Sequence, residues 1–465
     1  MKKDHLELLA RGRLSETLWR MCLPTVAAMT INGIYNVVDA FFIGLTHDAS
    51  AIGAVSVIFP LFVLVSALGV GISVGNSSYI SRRLGAGDTV SAQKMAGASV
   101  IVSVLLGVVT TAAGFIWMEP MLSLLGARST IMPAAVGYTS WILAGNIFVI
   151  VNAALSGAIR AEGNSAYSTV ALLAGTLLNI ALDPVFIFAC GMGIEGAAIA
   201  TLISYVVTFL ISAAYYVFGK SAVSLRPRFS DINRQNTREM LAIGSPALIK
   251  QLLLVLVFSM VNAFSAQYGE QAVTAAGLCG KINSFIAMTL MGIGQGFMPV
   301  AGFNFGAHNY ERVLGATNRV LLVSGLFAAV SGIGYVLFGS EILALFCRDS
   351  VVIGIGTGFL HAFAAGVIPL GITYIMDALF SACGWARAAM LLSLSRQGLI
   401  FVPVILLSRT VAGLDGISWS PAVSDILCCV IMALPLYFTF VSHLKKASAV
   451  VDIEGNAEAA RTPLT

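Results

Sequence analysis

The sequence predicts an all-α membrane protein in which twelve transmembrane helices form two six-helix lobes. Three observations lead to this prediction: the composition, a series of apolar segments, and an internal repeat. Of the 465 residues, 58% are hydrophobic and 10% are charged, whereas a soluble domain has about 25% charged residues. One soluble core cannot enclose that much apolar surface, so we expect the lipid bilayer to be the solvent. The net charge of +4 is too small to indicate a nucleic-acid partner.

Apolar segments long enough to cross a bilayer, which takes about 20 residues, occur twelve times. They are 19–45, 51–80, 93–117, 132–159, 168–190, 194–218, 243–267, 272–303, 318–340, 353–383, 388–410 and 417–442. None has the two-residue alternation of a membrane β-strand, so each is expected to be a helix. Charged residues precede the first segment, which argues against a cleaved signal peptide, and we expect that segment to be retained.

The positive charges predict how the chain is oriented. If both termini are cytoplasmic, 21 of the 26 lysines and arginines lie on the cytoplasmic side, as the positive-inside rule requires. We therefore expect a multi-pass protein of the cytoplasmic (inner) membrane with both termini in the cytoplasm. The exterior loops are short, which argues against a receptor with an ectodomain.

The two halves of the chain resemble each other in sequence. A shift of 223 aligns residues 38–41 with 261–264, and a shift of 221 aligns residues 85–86 with 306–307. Because each half has an even number of spans, the halves must be related by a pseudo-two-fold axis along the membrane normal. The expected parts are an amino-terminal lobe (1–218), a cytoplasmic connector (219–241), a carboxy-terminal lobe (242–444) and a cytoplasmic tail (445–465). Two such lobes can rock around a central cavity, which is the motion that alternating access requires.

Acidic residues inside the apolar segments are the first candidates for function. A charge near the bilayer centre costs about 2.5–3.5 kcal/mol on insertion scales. Four acids qualify, namely Asp39, Asp183, Asp377 and, nearer the end of a segment, Asp425. Inter-helix hydrogen bonding is the alternative role, but it is worth about 0.6 kcal/mol per contact, which does not offset two buried charges.

Four residues of the first half are predicted to form an ion-coupling site. Asp39, Asp183 and Thr201 each lie about seven residues, or about 10 Å, from the exterior end of a helix. Asn179 is one helical turn from Asp183, and Pro184 frees a backbone carbonyl and bends the fifth helix. Two carboxylates, an amide and a hydroxyl suit a hard cation such as Na⁺. Without a metal ion the two acids would share a proton, and the sequence does not distinguish H⁺ from Na⁺.

The second half is not a copy of this site, because Asn262 occupies the position that matches Asp39. It has Asp377 on the tenth helix, with Lys250 and Gln251 on the seventh. Lys250 and Asp377 are expected to form either a neutralising pair or a second coupling site. The residues expected to line a substrate cavity are Asn32, Tyr35, Asn36, Tyr138, Asn152, Gln251 and Asp377.

Motifs that suggest an enzyme do not fit their usual context. Residues 214–221, AYYVFGKS, lack one glycine of a phosphate-binding loop and end a membrane helix, so no nucleotide is expected. The seven cysteines lack the spacing of a zinc site. An intramembrane aspartyl enzyme should have a Gly-x-Gly-Asp arrangement, and neither Asp39 nor Asp183 has one. We therefore expect a monomeric secondary transporter without a cofactor, not an enzyme.

Five short motifs follow one another along the chain. They are NVVDAFFIG (36–44), SRRLGAGD (81–88), N-x-x-x-DP (179–184), GIEGAAIAT (193–201) and GFNFGA (302–307). Each motif alone has low specificity, whereas their order and spacing together are specific. They resemble the multidrug and toxic compound extrusion (MATE) family, in its prokaryotic form, and the resemblance runs from residue 23 to the twelfth span.

The resemblance implies a twelve-helix antiporter that exports organic cations and other amphipathic drugs against an inward flow of H⁺ or Na⁺. It also implies that Asp39, Asn179, Asp183 and Thr201 form the coupling site. Another branch of the family has a carboxylate on the seventh helix, where this chain has three leucines at 252–254, although Asp377 matches a family acid. A lipid-linked oligosaccharide flippase of the same superfamily is the alternative. It should have a strongly cationic cavity, and only Lys250 and Lys281 are expected as basic residues within spans.

Overall fold

The computed structural model describes residues 2–45, 49–128, 130–219 and 221–461, apart from the side chains of 2–4, 36–37, 39–41, 43–44, 49–52 and 450–461. Every regular element in these residues is helical. The first half contains α1 (Leu14–Gly44), α2 (Ala49–Gly85), α3 (Thr89–Ile116), α4 (Met132–Ala161), α5 (Ser165–Pro184) and α6 (Gly193–Val217). A helix at Lys2–Arg11 precedes α1, and a short helix at Met118–Leu124 precedes α4.

The second half begins with α7 (Arg234–Ser265), α8 (Glu270–Gly306), α9 (Tyr310–Ala344) and α10 (Ser350–Ala382). Helix α11 starts with Ala386–Leu394 and passes through a π turn, Ser395–Leu399, into the segment Phe401–Cys428. Gly413 lies inside that segment with φ 59°, a conformation that glycine adopts without a Cβ clash. The chain reverses there, since Ser408 Oγ and Ser420 Oγ are 2.7 Å apart. The helix that returns after Gly413 is α12; it comprises the second part of Phe401–Cys428 and continues through Cys429–Ala433 and Leu434–Arg461.

Ten helices in the described part of the chain are long and apolar enough to cross a membrane. One of them, Ala386–Ala449, has 64 residues and contains both α11 and α12. With α1 the number of spans is twelve, as the sequence predicts.

Helix starts differ from the hydropathy boundaries where a polar turn extends a membrane helix. Helix α7 begins at Arg234, so its first two turns belong to the segment predicted as connector. The Asn233 side chain caps it by accepting a hydrogen bond from the Gln235 N–H at 3.1 Å. Asp88 and Asn309, which correspond under the shift of 221, cap α3 and α9 in the same way. Capping residues set these helix ends, whereas hydropathy reports membrane depth.

The repeat-related glycines at the ends of α2 and α8 pack the two halves of the chain against each other. A Cβ on Gly85 would lie 1.8 Å from the Phe303 carbonyl oxygen, and a Cβ on Gly306 would lie 1.9 Å from that of Arg82. The shift of 221 relates Gly85 to Gly306 and Arg82 to Phe303. The contact of Gly85 with Phe303 and the contact of Gly306 with Arg82 are therefore equivalent under the repeat. This reciprocal contact is what a two-fold axis between α2 and α8 produces. Only glycine allows the backbones to approach so closely.

Polar contacts reinforce this interface between the halves. Thr25 Oγ1 on α1 donates to the Gly292 carbonyl oxygen on α8 at 2.7 Å. An Arg82 guanidinium nitrogen on α2 lies 2.9 Å from a Glu239 carboxylate oxygen on α7. Like the glycine contacts, the Arg82 pair lies at the helix ends nearest the connector, so the two halves are firmly joined on that side.

Glu162, directly after α4, holds the start of the connector. Its carboxylate accepts hydrogen bonds from Ser221 Oγ at 2.6 Å and the Ala222 N–H at 2.7 Å, and the residue is 1% exposed. Burial raises the pKa of the Glu162 carboxyl from 4.5 to about 7, although these hydrogen bonds lower it. The folded protein therefore favours the protonated carboxyl more strongly than the unfolded chain does.

We expect Glu162→Gln to remove a pH dependence of stability. A raised pKa means that wild-type stability is highest below about pH 4.5 and decreases until about pH 7. The wild-type protein should lose about 3 kcal/mol over this range relative to the variant. Denaturant unfolding in detergent at several pH values measures the difference, and parallel pH profiles for the two proteins would contradict it.

Candidate ion-coupling site

Asn179, Asp183 and Thr201 form a buried polar cluster between α5 and α6. They are 2%, 0% and 2% exposed, respectively. With its nitrogen facing the carboxylate, the Asn179 amide donates to Asp183 Oδ2 at 3.3 Å, and its oxygen accepts from the Thr201 N–H at 3.1 Å. The opposite orientation would point the amide oxygen at the carboxylate, which has no proton to donate when ionised. The structure therefore brings three of the four predicted residues into one cluster.

The backbone around this cluster departs from regular α-helix. Helix α5 ends at Pro184 and continues as a π turn, Val185–Ala189. Proline has no N–H, so the carbonyl one turn earlier loses its helical partner, and π turns occur frequently at functional sites. Gly191 and Gly193 follow with φ 67° and 56°, and they reverse the chain into α6. This tight connection sets Thr201 opposite Asn179.

Asn36 and Asp39 lie outside the residues whose side chains the structure describes. Their backbone belongs to α1, which packs along α5. The two helices that carry Asp39 and Asp183 are therefore adjacent, and the role of Asp39 in the cluster remains a prediction.

The residues predicted for a substrate cavity have different surroundings. Asn32, Tyr35 and Gln251 are half-buried. Tyr138 is 9% exposed and belongs to an apolar cluster of the first half. Asn152 Oδ1 accepts a hydrogen bond from Ser212 Oγ at 2.7 Å, which ties α4 to α6. Tyr138 and Asn152 thus have packing partners within the first half of the chain.

A second group of charges links four helices of the second half. Lys250 on α7 forms an ion pair with Asp377 on α10. Arg396 on α11 pairs with Asp425 on α12, with Nε and Oδ1 2.6 Å apart. The Tyr374 ring lies 5.1 Å from the Lys250 ammonium and 4.9 Å from the Arg396 guanidinium, distances typical of cation–π contacts. Two cations and two acids give the group no net charge, so it does not supply the cationic surface that a flippase would need.

Arg396 is one of the 21 basic residues that the sequence analysis counts on the cytoplasmic side, with only Lys250 and Lys281 expected within spans. The structure corrects this placement. The Arg396 side chain is 15% exposed and lies inside the α11–α12 hairpin. The charge lies about ten residues into an apolar segment, where it requires a partner. Asp425, on the next segment, is that partner. A base and an acid on neighbouring apolar segments could have indicated this pair from the sequence.

We expect Lys250→Met to destabilise the protein by about 3–5 kcal/mol, because it leaves the Asp377 carboxylate buried without its cation. The double variant Lys250→Met with Asp377→Leu should recover most of that loss. Thermal unfolding followed by size-exclusion chromatography measures both variants. Lys281→Met is the matched control, since Lys281 is exposed. Equal unfolding temperatures for Lys250→Met and Lys281→Met would contradict the pairing.

The described residues form twelve apolar helices in two pseudo-symmetric halves with charges buried inside the bundle, an architecture typical of secondary membrane transporters. The sequence model of the MatE family matches residues 24–185 and again 246–407. The chain belongs to this family. The two matches coincide with the internal repeat.

Individual relatives agree with this assignment over nearly the whole length. The multidrug export protein MepA of Staphylococcus aureus (strain N315) is 28% identical over 437 residues, which cover 94% of this chain and 96% of that protein. A solved structure described as the outward-facing conformation of a multidrug resistance MATE family transporter of the MOP superfamily is 26% identical with a TM-score of 0.89. The match covers 94% of this chain and 98% of that one. A MOP superfamily transporter from Pyrococcus furiosus is 26% identical with a TM-score of 0.87, over 95% of this chain and 98% of that one. The family and the two-lobed fold are confirmed.

Proposed function

We propose that this protein exports cationic and amphipathic drugs from the cytoplasm in exchange for H⁺ or Na⁺. The observation that carries the proposal is the contact of Asn179 with Asp183 and Thr201, buried inside the amino-terminal half of a MATE fold. A carboxylate held by an amide can exchange a cation, and its position inside a span gives it a cost that a purely structural role does not explain. Export of several drugs is supported by relatives named as multidrug export proteins.

Cation occupancy is proposed to change the bend of α5 and α6 and thereby collapse the drug cavity of the amino-terminal lobe. Pro184 and the π turn after it supply a movable joint beside Asp183. Drug and cation need only differ in their affinities for the two conformations. A cation that enters from outside then favours the conformation that releases the drug.

The proposed orientation places both termini and the connector in the cytoplasm. It rests on the distribution of lysines and arginines. Under it, the contact between Gly85 and Phe303 closes the cytoplasmic side between the lobes, as an outward-facing conformation requires. The likeness to an outward-facing relative supports this state.

Exchange of one monovalent drug for one monovalent cation moves no net charge. The membrane potential, worth about 2.3 kcal/mol per charge per 100 mV, would then contribute nothing. The chemical gradient of the coupling ion would be the driving force.

Dye flux in proteoliposomes tests the proposal. Ethidium transport is followed by fluorescence with a pH gradient and a Na⁺ gradient imposed separately. We expect transport against the dye gradient under one of them. The exposed acid Asp415 supplies the control Asp415→Asn, which should retain transport. Equal dye movement with and without both gradients would contradict antiport.

A further inference from the structure

An apolar groove lies between α3, α4 and α6 and runs from the middle of these helices toward their ends nearest the connector. It has a volume of about 400 Å³, within the range of small-molecule sites. Its lining includes Val104 of α3, Phe148 and Leu155 of α4, Phe209 and Tyr216 of α6, and Leu225 of the connector. None of these residues belongs to the α5–α6 cluster, so the groove is separate from the proposed coupling site.

Tyr216 lies at the connector end of the groove. Its hydroxyl is buried and has no hydrogen-bond partner among the residues that the structure describes. Since this hydroxyl is closed to the groove, the apolar lining accommodates an acyl chain but presents no donor to acceptor oxygens beyond it. Membrane lipids carry such oxygens in their ester and phosphate groups, directly above their acyl chains.

Two exposed arginines follow the groove in the connector. Arg226 comes directly after Leu225, and its carbonyl oxygen would lie 2.9 Å from a Cβ on Gly97 of α3. The connector therefore runs against α3 beside the groove, and Arg228 is two residues further along it. Of the acids nearby, Glu162 is 1% exposed and turned toward the connector backbone, and Asp231 lies beyond Arg228.

We propose that this groove binds one anionic phospholipid of the cytoplasmic leaflet. The acyl chain lies along Phe148 and Phe209, and Arg226 and Arg228 attract the phosphate. Basic residues at the cytoplasmic ends of helices attract anionic head groups. The inference uses the proposed orientation but not ion coupling, and its test does not involve transport.

Native mass spectrometry of the detergent-purified protein tests this inference. The probes are phosphatidylglycerol and phosphatidylcholine with the same acyl chains. We expect one tightly bound phosphatidylglycerol per chain. Each arginine should contribute about a five-fold preference over phosphatidylcholine, or about 25-fold for the pair.

Three variants assign the binding to the groove. Arg226→Gln with Arg228→Gln should bind both lipids about equally, whereas Arg128→Gln with Arg348→Gln, at exposed positions of the exterior loops, should keep the preference. Ala213→Trp, which fills the groove, should remove both lipids, with folding checked by size-exclusion chromatography.

Several outcomes would overturn the proposal. Equal binding of the two lipids to the wild-type protein would show that no anionic site exists. Unchanged lipid binding by folded Ala213→Trp would place the lipid elsewhere. Displacement of the lipid by ethidium, in competition at one site, would make the groove a drug site instead.

Discussion

Replacing Gly85 by valine is expected to prevent the lobes from closing on the connector side and so to impair drug transport severely. A Cβ at this position would lie 1.8 Å from the Phe303 carbonyl oxygen, which is backbone and cannot rotate away. Overpacking costs about 1–3 kcal/mol. Applied to one of two conformations, this shifts their ratio by about 5- to 150-fold toward the state in which the connector side is open. Transport should fall by a comparable factor.

Symmetry provides an internal check on this expectation. Gly306→Val should act like Gly85→Val, because the two glycines occupy equivalent positions across the pseudo-two-fold axis. Gly334→Val on α9 is the control, since no atom lies within 4 Å of a Cβ there. Electron–electron distances between spin labels at the connector-side ends of α3 and α9 report the opening. Normal distances and normal ethidium transport in Gly85→Val would refute this role of the interface.

Asp183→Asn is expected to abolish gradient-driven transport while the protein still folds and binds drug. Asparagine has nearly the same shape, but it neither takes up a proton nor neutralises Na⁺. Removing a buried charge should not destabilise the α5–α6 cluster, because a charge there is costly. Asp39→Asn should have the same effect if its side chain shares the site, and Asp377→Asn should have a smaller one.

Initial rates of ethidium transport in proteoliposomes, compared with equilibrium ethidium binding in detergent, separate coupling from drug recognition. Asp415→Asn controls for the loss of an acid elsewhere. The assignment fails if Asp183→Asn transports at the wild-type rate under the same gradient. It also fails if Asp183→Asn and Asp377→Asn lose transport equally, since the two lobes would then have been ranked wrongly.

The sequence predicted most of the fold because bilayer insertion imposes length and polarity on each span. The repeat of residues 85–86 at 306–307 could also be recognised from the sequence. An internal alignment gives correspondences and not contacts, so the crosswise packing of Gly85 on Phe303 required the structure. The early start of α7 was missed because a capping asparagine, Asn233, extends the helix beyond its apolar part.

The amino-terminal cluster was predictable because the helix period fixes Asn179 relative to Asp183, and equal depth suggested Thr201. Arg396 was missed because it was counted with the cytoplasmic charges, although it lies about ten residues into an apolar segment. Its partner Asp425 lies on the next span, and hydropathy does not show which side chains meet across the reversal at Gly413. Glu162 was missed because it lies between spans, and its burial depends on how the connector folds back over α4.

Ion release on drug binding tests the central claim most directly. Purified protein in weakly buffered detergent is titrated with ethidium while proton release is followed by a pH indicator and bound ²²Na⁺ is followed by filtration. Ethidium binding to the wild-type protein should release H⁺ or displace Na⁺, and binding to Asp183→Asn should do neither. Drug binding that leaves both ions unchanged in the wild-type protein, or the same release from Asp183→Asn, would contradict exchange at this carboxylate.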